Sequence, residues 1–373
     1  MTTPAGDPGV EPVSPRRDHS SVDIECLQHG IVSGDRSALA RAITLIESRA
    51  ERHRVIADQL ISRLLPGAKH ATRVGISGVP GAGKSTFIDT LGLLLVKQGR
   101  RVAVLSVDPS SPVSGGSILG DKTRMERLAR EPSVFIRPSP SGGMLGGVAR
   151  RTRESICLCE AAGFDVVLVE TVGVGQSEVV VRSMVDCFVV LTIAGAGDEL
   201  QGMKKGILEL AQLVVVNKAD GENQIRANSA ALELERALRY LDLDSGDWRT
   251  RVMTCSSRTG ENVELVWTAV EDYISQASAN GRLDGIRREQ NVAWMDELLG
   301  QMWRQKIESD DRIRELRSRL ESKVAEGKLP APQAAENLFS EIVGGEGPRT
   351  FPGGHNRDAL FDKKRGVATT PMP

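Results

Sequence analysis

The sequence of 373 residues is poor in aromatic side chains and cysteine and carries almost no net charge. Aromatic residues make up 3%, which disfavours a stacking platform for single-stranded nucleic acid. The 48 basic and 49 acidic side chains leave a net charge of -1, so we expect no nonspecific attraction to nucleic acid or to a membrane. No apolar run approaches the roughly 18 residues that a membrane-spanning helix needs.

The signals for export are also missing. The N-terminus has no apolar core of a secretory signal. The five cysteines are scattered and odd in number, which argues against a disulfide framework. Both features favour a protein of the reducing cytoplasm.

The chain divides into a central α/β region, helical flanks and two polar tails. Residues 1–20 hold four of the 17 prolines, and residues 344–373 are rich in Gly, Pro, Arg and Lys, so we expect flexible tails. Apolar residues at three- and four-residue steps predict helical segments over 21–66 and 281–343. The Trp and Met side chains of the C-terminal segment fit packing on the chain's own domain or a subunit interface. Residues 67–280 are predicted to form the main domain.

Short apolar runs set the fold class of the main domain. Six of them lie at 74–76, 102–105, 166–169, 188–191, 213–216 and 252–253. They are continuous rather than alternating, which indicates strands buried on both faces. Helical segments between the runs predict right-handed crossovers and a mainly parallel sheet. The fold class is therefore α/β, with helical N-terminal and C-terminal extensions.

A glycine-rich loop follows the first predicted strand. It reads GVPGAGKS at 78–85 and matches G-x-x-x-x-G-K-[ST] between a strand and an apolar helix. Its backbone N–H groups can cradle phosphate, Lys84 adds a cation, and Ser85 offers an oxygen ligand to Mg²⁺. The predicted phosphate-binding residues are Gly78, Val79, Pro80, Gly81, Ala82, Gly83, Lys84, Ser85 and Thr86.

A second motif selects the base. The sequence NKAD at 217–220 follows an apolar strand and matches the N-K-x-D element of GTPases. A carboxylate at Asp220 can accept two hydrogen bonds from guanine, and adenine offers no such donors, a discrimination of about 1–3 kcal/mol. The chain is thus predicted to be a P-loop GTPase that binds GTP and GDP. The predicted base-binding residues are Asn217, which braces the loops, Lys218 and Asp220, with Ser256, Ser257 and Arg258 reaching guanine O6 through backbone N–H groups.

Three carboxylates lie at or beyond predicted strand ends, where open α/β sheets bind ligands. Asp108 and Glu170 end two strands, and Asp121 lies in the following loop. One or two of them are expected to bind Mg²⁺ with Ser85, and the others to orient water or nearby loops. We predict Lys84, Asp108 and Glu170 to be catalytic. Val174 stands where Ras-like GTPases carry a water-orienting Gln, so hydrolysis is expected to be slow without a partner.

Longer stretches resemble the methylmalonyl-CoA mutase-associated GTPases, called MeaB or ArgK. They include GVPGAGKST at 78–86, VDPSSPVSGGSILGDKTRM at 107–125, RPSPSGGMLGGVAR at 137–150, ETVGVGQSE at 170–178 and GDELQGMKKGILELA at 197–211. The likeness covers about residues 25–340. It implies a SIMIBI-class G domain, a homodimer formed through the C-terminal helices, and Asp108, Asp121 and Glu170 around the metal and hydrolytic water.

The resemblance also implies a function. Members act as chaperones of adenosylcobalamin-dependent acyl-CoA mutases, in which GTP binding and hydrolysis gate cofactor loading and protect the mutase. Methylmalonyl-CoA, ethylmalonyl-CoA and isobutyryl-CoA mutases all stay open as partners. Two other functions are weighed against it. A metallochaperone GTPase for a nickel enzyme needs a Cys/His site, but the five His residues are dispersed. A targeting GTPase for RNA and membrane needs a Met-rich domain and a basic surface, which the composition does not favour.

Overall fold

The computed structural model describes residues 23–48, 50–107, 125–138, 145–171, 177–195, 205–240 and 248–343. Both predicted tails and the predicted ligands Asp108 and Asp121 lie outside these ranges. The described residues divide into two compact units, one ending at Trp294 and one beginning at Met295. The predicted domain boundaries at 66, 280 and 343 stay predictions.

The first unit is built on a seven-stranded sheet in the order β3-β2-β4-β1-β5-β6-β7, in which every pair is parallel. The strands are β1 (Thr72–Gly78), β2 (Val102–Val107), β3 (Val134–Arg137), β4 (Val166–Thr171), β5 (Cys187–Ile193), β6 (Leu213–Asn217) and β7 (Arg251–Thr254). All residues of β2 and β4 are buried, as predicted from their continuous apolar runs. The predicted α/β class with a parallel sheet is confirmed.

One strand, β3, was not predicted from the sequence. The four residues of β3 lie at the sheet edge, next to β2 only. The run is short and stands between Pro132 and Pro138, so its length gives a weak strand signal.

Helices connect and cover the strands. The first unit contains α1 (Ile24–Val32), α2 (Arg36–Glu47), α3 (Glu51–Leu64), α4 (Lys84–Lys97), α5 (Glu126–Ala129), α6 (Leu145–Ala161), α7 (Ser177–Arg182), α8 (Lys205–Leu210), α9 (Gln224–Tyr240) and α10 (Val263–Ala279). Asp23 and Asp35 cap α1 and α2 by accepting hydrogen bonds from backbone N–H groups. The helices α2 and α3 pack on α6 through buried residues such as Leu39, Ile43 and Leu60.

A long helix, α11 (Arg282–Ser309), begins in the first unit and ends in the second. The second unit also contains α12 (Asp311–Ala325) and α13 (Ala331–Val343), which pack on each other. Among its residues up to 343, the buried apolar side chains are few, namely Ile313, Leu320 and Ala334. In the described part of the chain, no helix combines the length and apolarity needed to cross a lipid bilayer.

Candidate functional site

The turn after β1 is shaped by glycine. At Gly78, φ is 144°, and a Cβ added there would lie 1.9 Å from the carbonyl oxygen of Leu191 in β5. Only glycine permits this approach of the two backbones. Gly83 has a φ of 87° and immediately precedes α4, so the loop leads into the N-terminus of a helix. Helix N-termini offer unpaired N–H groups and a favourable dipole to phosphate.

Lys84 is the first residue of α4, and its side chain folds back over the loop. Its Nζ donates to the carbonyl oxygens of Gly78 at 2.9 Å and Val79 at 3.3 Å. The cation therefore lies inside the curve of the loop that was predicted to cradle phosphate. Pro80, Gly81 and Thr86 are exposed at the same loop, while Ala82 is buried beneath it.

Ser85 and Glu170 meet beside the loop. Ser85 Oγ donates to Glu170 Oε1 at 2.9 Å, although the two residues are 85 positions apart in the chain. Glu170 is buried near the carboxyl end of β4, and β4 pairs directly with β1. Together they present a hydroxyl and a carboxylate, the oxygen ligands that fit Mg²⁺. The structure thus brings together two of the four predicted metal ligands, and Asp108 and Asp121 lie outside the described residues.

Asn217, the last residue of β6, joins the two halves of the site. Its Nδ2 donates to the carbonyl oxygen of Ala82 at 2.7 Å, inside the glycine-rich loop. Its Oδ1 accepts from Ser257 N at 3.0 Å and from Ser257 Oγ at 2.8 Å. Asn217 is 1% exposed, so these hydrogen bonds are shielded from water. The predicted phosphate and base segments therefore adjoin, and one side chain spans them.

Asp220 is held by two neighbours on the loop after β7. It accepts from Ser256 Oγ at 3.1 Å and forms an ion pair with the exposed guanidinium of Arg258. The hydrogen bond from Arg258 holds the pKa of the Asp220 carboxyl below its ordinary value. The side chain is consequently an ionised acceptor, as recognition of guanine N–H donors requires.

The backbone between these residues is constrained. Lys218 has a φ of 60°, which is unusual outside glycine, and its carbonyl oxygen accepts from Asn223 Nδ2 at 2.7 Å. Such conformations persist where the surrounding contacts impose them and are concentrated at binding sites. This turn lies between Asn217, the buried last residue of β6, and Asp220, which is partly exposed.

The hydrogen bonds of the segment 256–258 show which of its backbone N–H groups are already paired within the protein. The amide of Ser256 donates to the carbonyl oxygen of Glu261 at 3.0 Å, and that of Ser257 donates to Asn217. Both amides are thus engaged within the protein, and the contact of this segment with guanine O6 stays a prediction. Sequence reasoning could not distinguish the three, because the partners lie elsewhere in the chain.

Thr90, which the sequence analysis did not single out, contacts this loop, and Arg127 contacts Thr90. Thr90 Oγ1 donates to the carbonyl oxygen of Ser257 at 2.7 Å, and Arg127 Nη2 donates to Thr90 Oγ1 at 3.3 Å. Neither residue belongs to a motif, and both are far from Ser257 in sequence. No pattern in one sequence indicates such contacts.

Comparison with known proteins bears on the family and the fold of the chain. The family described as "Methylmalonyl Co-A mutase-associated GTPase MeaB" matches residues 39–311. The GTPase ArgK of Escherichia coli is 52% identical over 262 residues, covering 70% of this chain and 79% of its own. The mouse protein "Methylmalonic aciduria type A homolog, mitochondrial" is 45% identical, covering 85% and 79%. A crystal structure of an "LAO/AO transport system kinase" matches with a TM-score of 0.69 and 36% identity, covering 87% of this chain and all of that one.

Proposed function

The chain is a GTPase of the methylmalonyl-CoA mutase-associated family, MeaB, and we propose that it is the chaperone of an adenosylcobalamin-dependent acyl-CoA mutase. In this proposal GTP binding and hydrolysis gate the loading of the cofactor and protect the mutase from inactivation. Methylmalonyl-CoA mutase is the first candidate partner, because the family description names it. The observation that carries the nucleotide part is the Asn217 side chain, which bonds the phosphate loop to the base loop.

The site residues take their roles from this arrangement. Lys84 and the loop at 78–86 bind the phosphates, while Asn217, Lys218, Asp220 and the segment 256–258 bind guanine. Ser85 would hold Mg²⁺ together with one or two of Asp108, Asp121 and Glu170. When bound, Mg²⁺ would supply positive charge that offsets the negative charge of the phosphates. Lys84 stabilises negative charge on the outer phosphate oxygens, and Glu170 and Asp108 orient the groups around them.

Hydrolysis by the isolated protein is proposed to be slow. The residue after Gly173 is Val174, whose side chain has no hydrogen-bonding group with which to orient water. A mutase that completes the site would then accelerate turnover. The measurement is the rate of phosphate release with and without each purified mutase. A fast rate that no mutase changes would refute this part of the proposal.

A homodimer is proposed on the exposed apolar face of α11. Met295, Leu299, Met302 and Trp303 recur at helical spacing and are each 46–61% exposed. Large apolar and aromatic side chains clustered on one helix face are typical of subunit contacts. A second copy of the chain is the proposed occupant, in agreement with the family resemblance.

The dimer test compares two leucines of similar exposure on different helices. Leu299 on α11 is 53% exposed and Leu232 on α9 is 56% exposed. Light scattering should show that Leu299→Gln shifts the protein toward monomer, whereas Leu232→Gln leaves the mass unchanged. A monomeric wild-type protein at tens of micromolar, or equal behaviour of the two variants, would contradict the proposed interface.

The partner test uses purified methylmalonyl-CoA, ethylmalonyl-CoA and isobutyryl-CoA mutases in separate arms. Calorimetry with GDP and with a non-hydrolysable GTP analogue should detect binding to one mutase, with an affinity that depends on the nucleotide. Asp220→Asn serves as a control that weakens nucleotide recognition without altering the α11 face. Absence of binding to all three mutases in both nucleotide states would remove the chaperone role and leave the GTPase intact.

The metallochaperone alternative finds no support in the described ranges. Within them, no three His, Cys, Asp or Glu side chains are grouped as a metal site would require. We also propose that the protein acts in the cytoplasm.

A further inference from the structure

Thr90 makes a hydrogen bond that is unusual for a threonine within a helix. Helical Thr hydroxyls commonly donate to the carbonyl four residues earlier, as Thr268 Oγ1 does to Glu264 at 3.0 Å. Thr90 Oγ1 instead donates at 2.7 Å across to Ser257, 167 residues away. The acceptor residue is 3% exposed, so water cannot readily replace the bond.

Arg127 fixes the direction of that hydroxyl. Its guanidinium bonds to the buried carboxylate of Asp89 at 2.8 Å, and the same carboxylate accepts from the amide of Leu128 at 3.0 Å. Nη2, which also lies 2.8 Å from the Asp89 carboxylate, donates to Thr90 Oγ1 at 3.3 Å. A hydroxyl has a single proton. Since Arg127 occupies an acceptor position on the oxygen, the proton of Thr90 is free to point at Ser257.

Ser257 is also bonded to residues of the proposed base site. The amide and hydroxyl of Ser257 both donate to Asn217, and Asn217 donates to Ala82 in the phosphate loop. The residues on either side, Ser256 and Arg258, contact Asp220. Through the carbonyl of Ser257, α4 therefore holds the segment 256–258. The residues on either side of Ser257 in this segment contact the carboxylate of Asp220, which is proposed to bind guanine.

We propose that Thr90, oriented by Arg127, is a positioning residue for guanine recognition. Its hydrogen bond to Ser257 fixes the distance between the 256–258 loop and the base, and Thr90 itself does not touch the nucleotide. This inference rests on the guanine site of the proposed function and is independent of the mutase role. Loss of the hydroxyl should weaken binding of the guanine base and leave phosphate binding nearly unchanged.

The test removes the hydroxyl while keeping the shape of the side chain. In Thr90→Val, the dissociation constant for GTP should rise about three- to tenfold, the range for one internal hydrogen bond. The constant for ATP should stay within about twofold, so the GTP/ATP preference falls. For hydrolysis, KM for GTP should rise while kcat changes little, because the phosphate loop and metal ligands are intact.

Three further variants separate positioning from a general loss of structure. Thr90→Ser keeps the hydroxyl and should restore the wild-type preference. Arg127→Met should shift the preference in the same direction as Thr90→Val, and the double variant should be no worse than Thr90→Val alone, since both act through one bond. Thr268→Val, which loses a bond within its own helix, should leave both constants unchanged. Melting temperatures check that all variants are folded.

The possible failures are distinguishable. If the wild-type protein prefers GTP but Thr90→Val keeps the full preference, or loses GTP and ATP affinity equally, the positioning role is wrong and the guanine site stands. If the wild-type protein shows no preference for GTP over ATP, the guanine site itself is wrong, and the role of Thr90 is refuted with it.

Discussion

A buried ion pair joins the first turns of α11 to the residue before β5. Breaking this pair should lower the free energy of unfolding. Asp186 lies just before β5, and its side chain is fully buried. It accepts from Arg287 Nε at 2.8 Å, from Arg287 Nη2 at 2.7 Å and from the amide of Arg73 at 2.9 Å. Arg287 also donates to the carbonyl oxygen of Ala71 at 2.9 Å. Near this point Gln290 Nε2 donates to Val185, so the start of α11 has several fixed contacts.

The substitution Asp186→Asn keeps the shape of the side chain and removes its charge. It leaves a largely buried guanidinium without its counter-ion, because the Arg287 side chain is only 14% exposed. Breaking a buried pair by removing one partner typically costs about 3–5 kcal/mol of unfolding free energy. We expect a loss of this size.

A surface pair provides the matched control. Asp272 pairs with Arg251 at 2.8 Å, and the two side chains are 50% and 45% exposed. Exposed pairs contribute about 0–1 kcal/mol. Asp272→Asn should therefore leave the urea midpoint nearly unchanged, while Asp186→Asn lowers it strongly. Circular dichroism and tryptophan fluorescence should both follow the transition.

A double variant tests the electrostatic cause. In Asp186→Asn with Arg287→Met, the uncompensated charge is gone, so the protein should be more stable than with Asp186→Asn alone. GTP affinity should not change in the folded variants, because Asp186 precedes β5 and the phosphate loop follows β1 at the opposite end of the parallel strands. Equal shifts for Asp186→Asn and Asp272→Asn, or no recovery in the double variant, would refute the reasoning.

Three other predictions concern the nucleotide site. Lys84→Ala should abolish measurable GTP binding in calorimetry, because the phosphates lose the cation inside the loop; retained micromolar affinity would contradict the assignment. Asp220→Asn should weaken the GTP preference about 5- to 150-fold relative to ATP and improve binding of xanthosine triphosphate, and an unchanged preference would count against the base site. The GTP/ATP preference should be constant from pH 7 down to pH 5, because Arg258 holds the pKa of Asp220 below its ordinary value and the carboxylate stays ionised there; a titration midpoint inside this range would overturn that account.

Local patterns were sufficient for much of this protein. The spacing of glycines, lysine and serine at 78–85 specified a phosphate loop, because a backbone cradle needs those residue types in consecutive positions. The apolar runs predicted a parallel sheet, since burial on both faces leaves a mark along a single strand. The motif at 217–220 predicts guanine through the chemistry of one carboxylate.

What the sequence could not supply is the pairing of residues that are far apart in the chain. Three such sets of contacts leave no trace in spacing or composition. They are the hydrogen bonds from Arg127 through Thr90 to Ser257, the pairing of Ser85 with Glu170, and the buried pair of Asp186 with Arg287. The same holds for β3, whose four residues are a strand because β2 offers them hydrogen-bond partners. These features exist only once the sheet has brought distant segments together, and a hydrogen bond depends on positions in space to within a few tenths of an ångström.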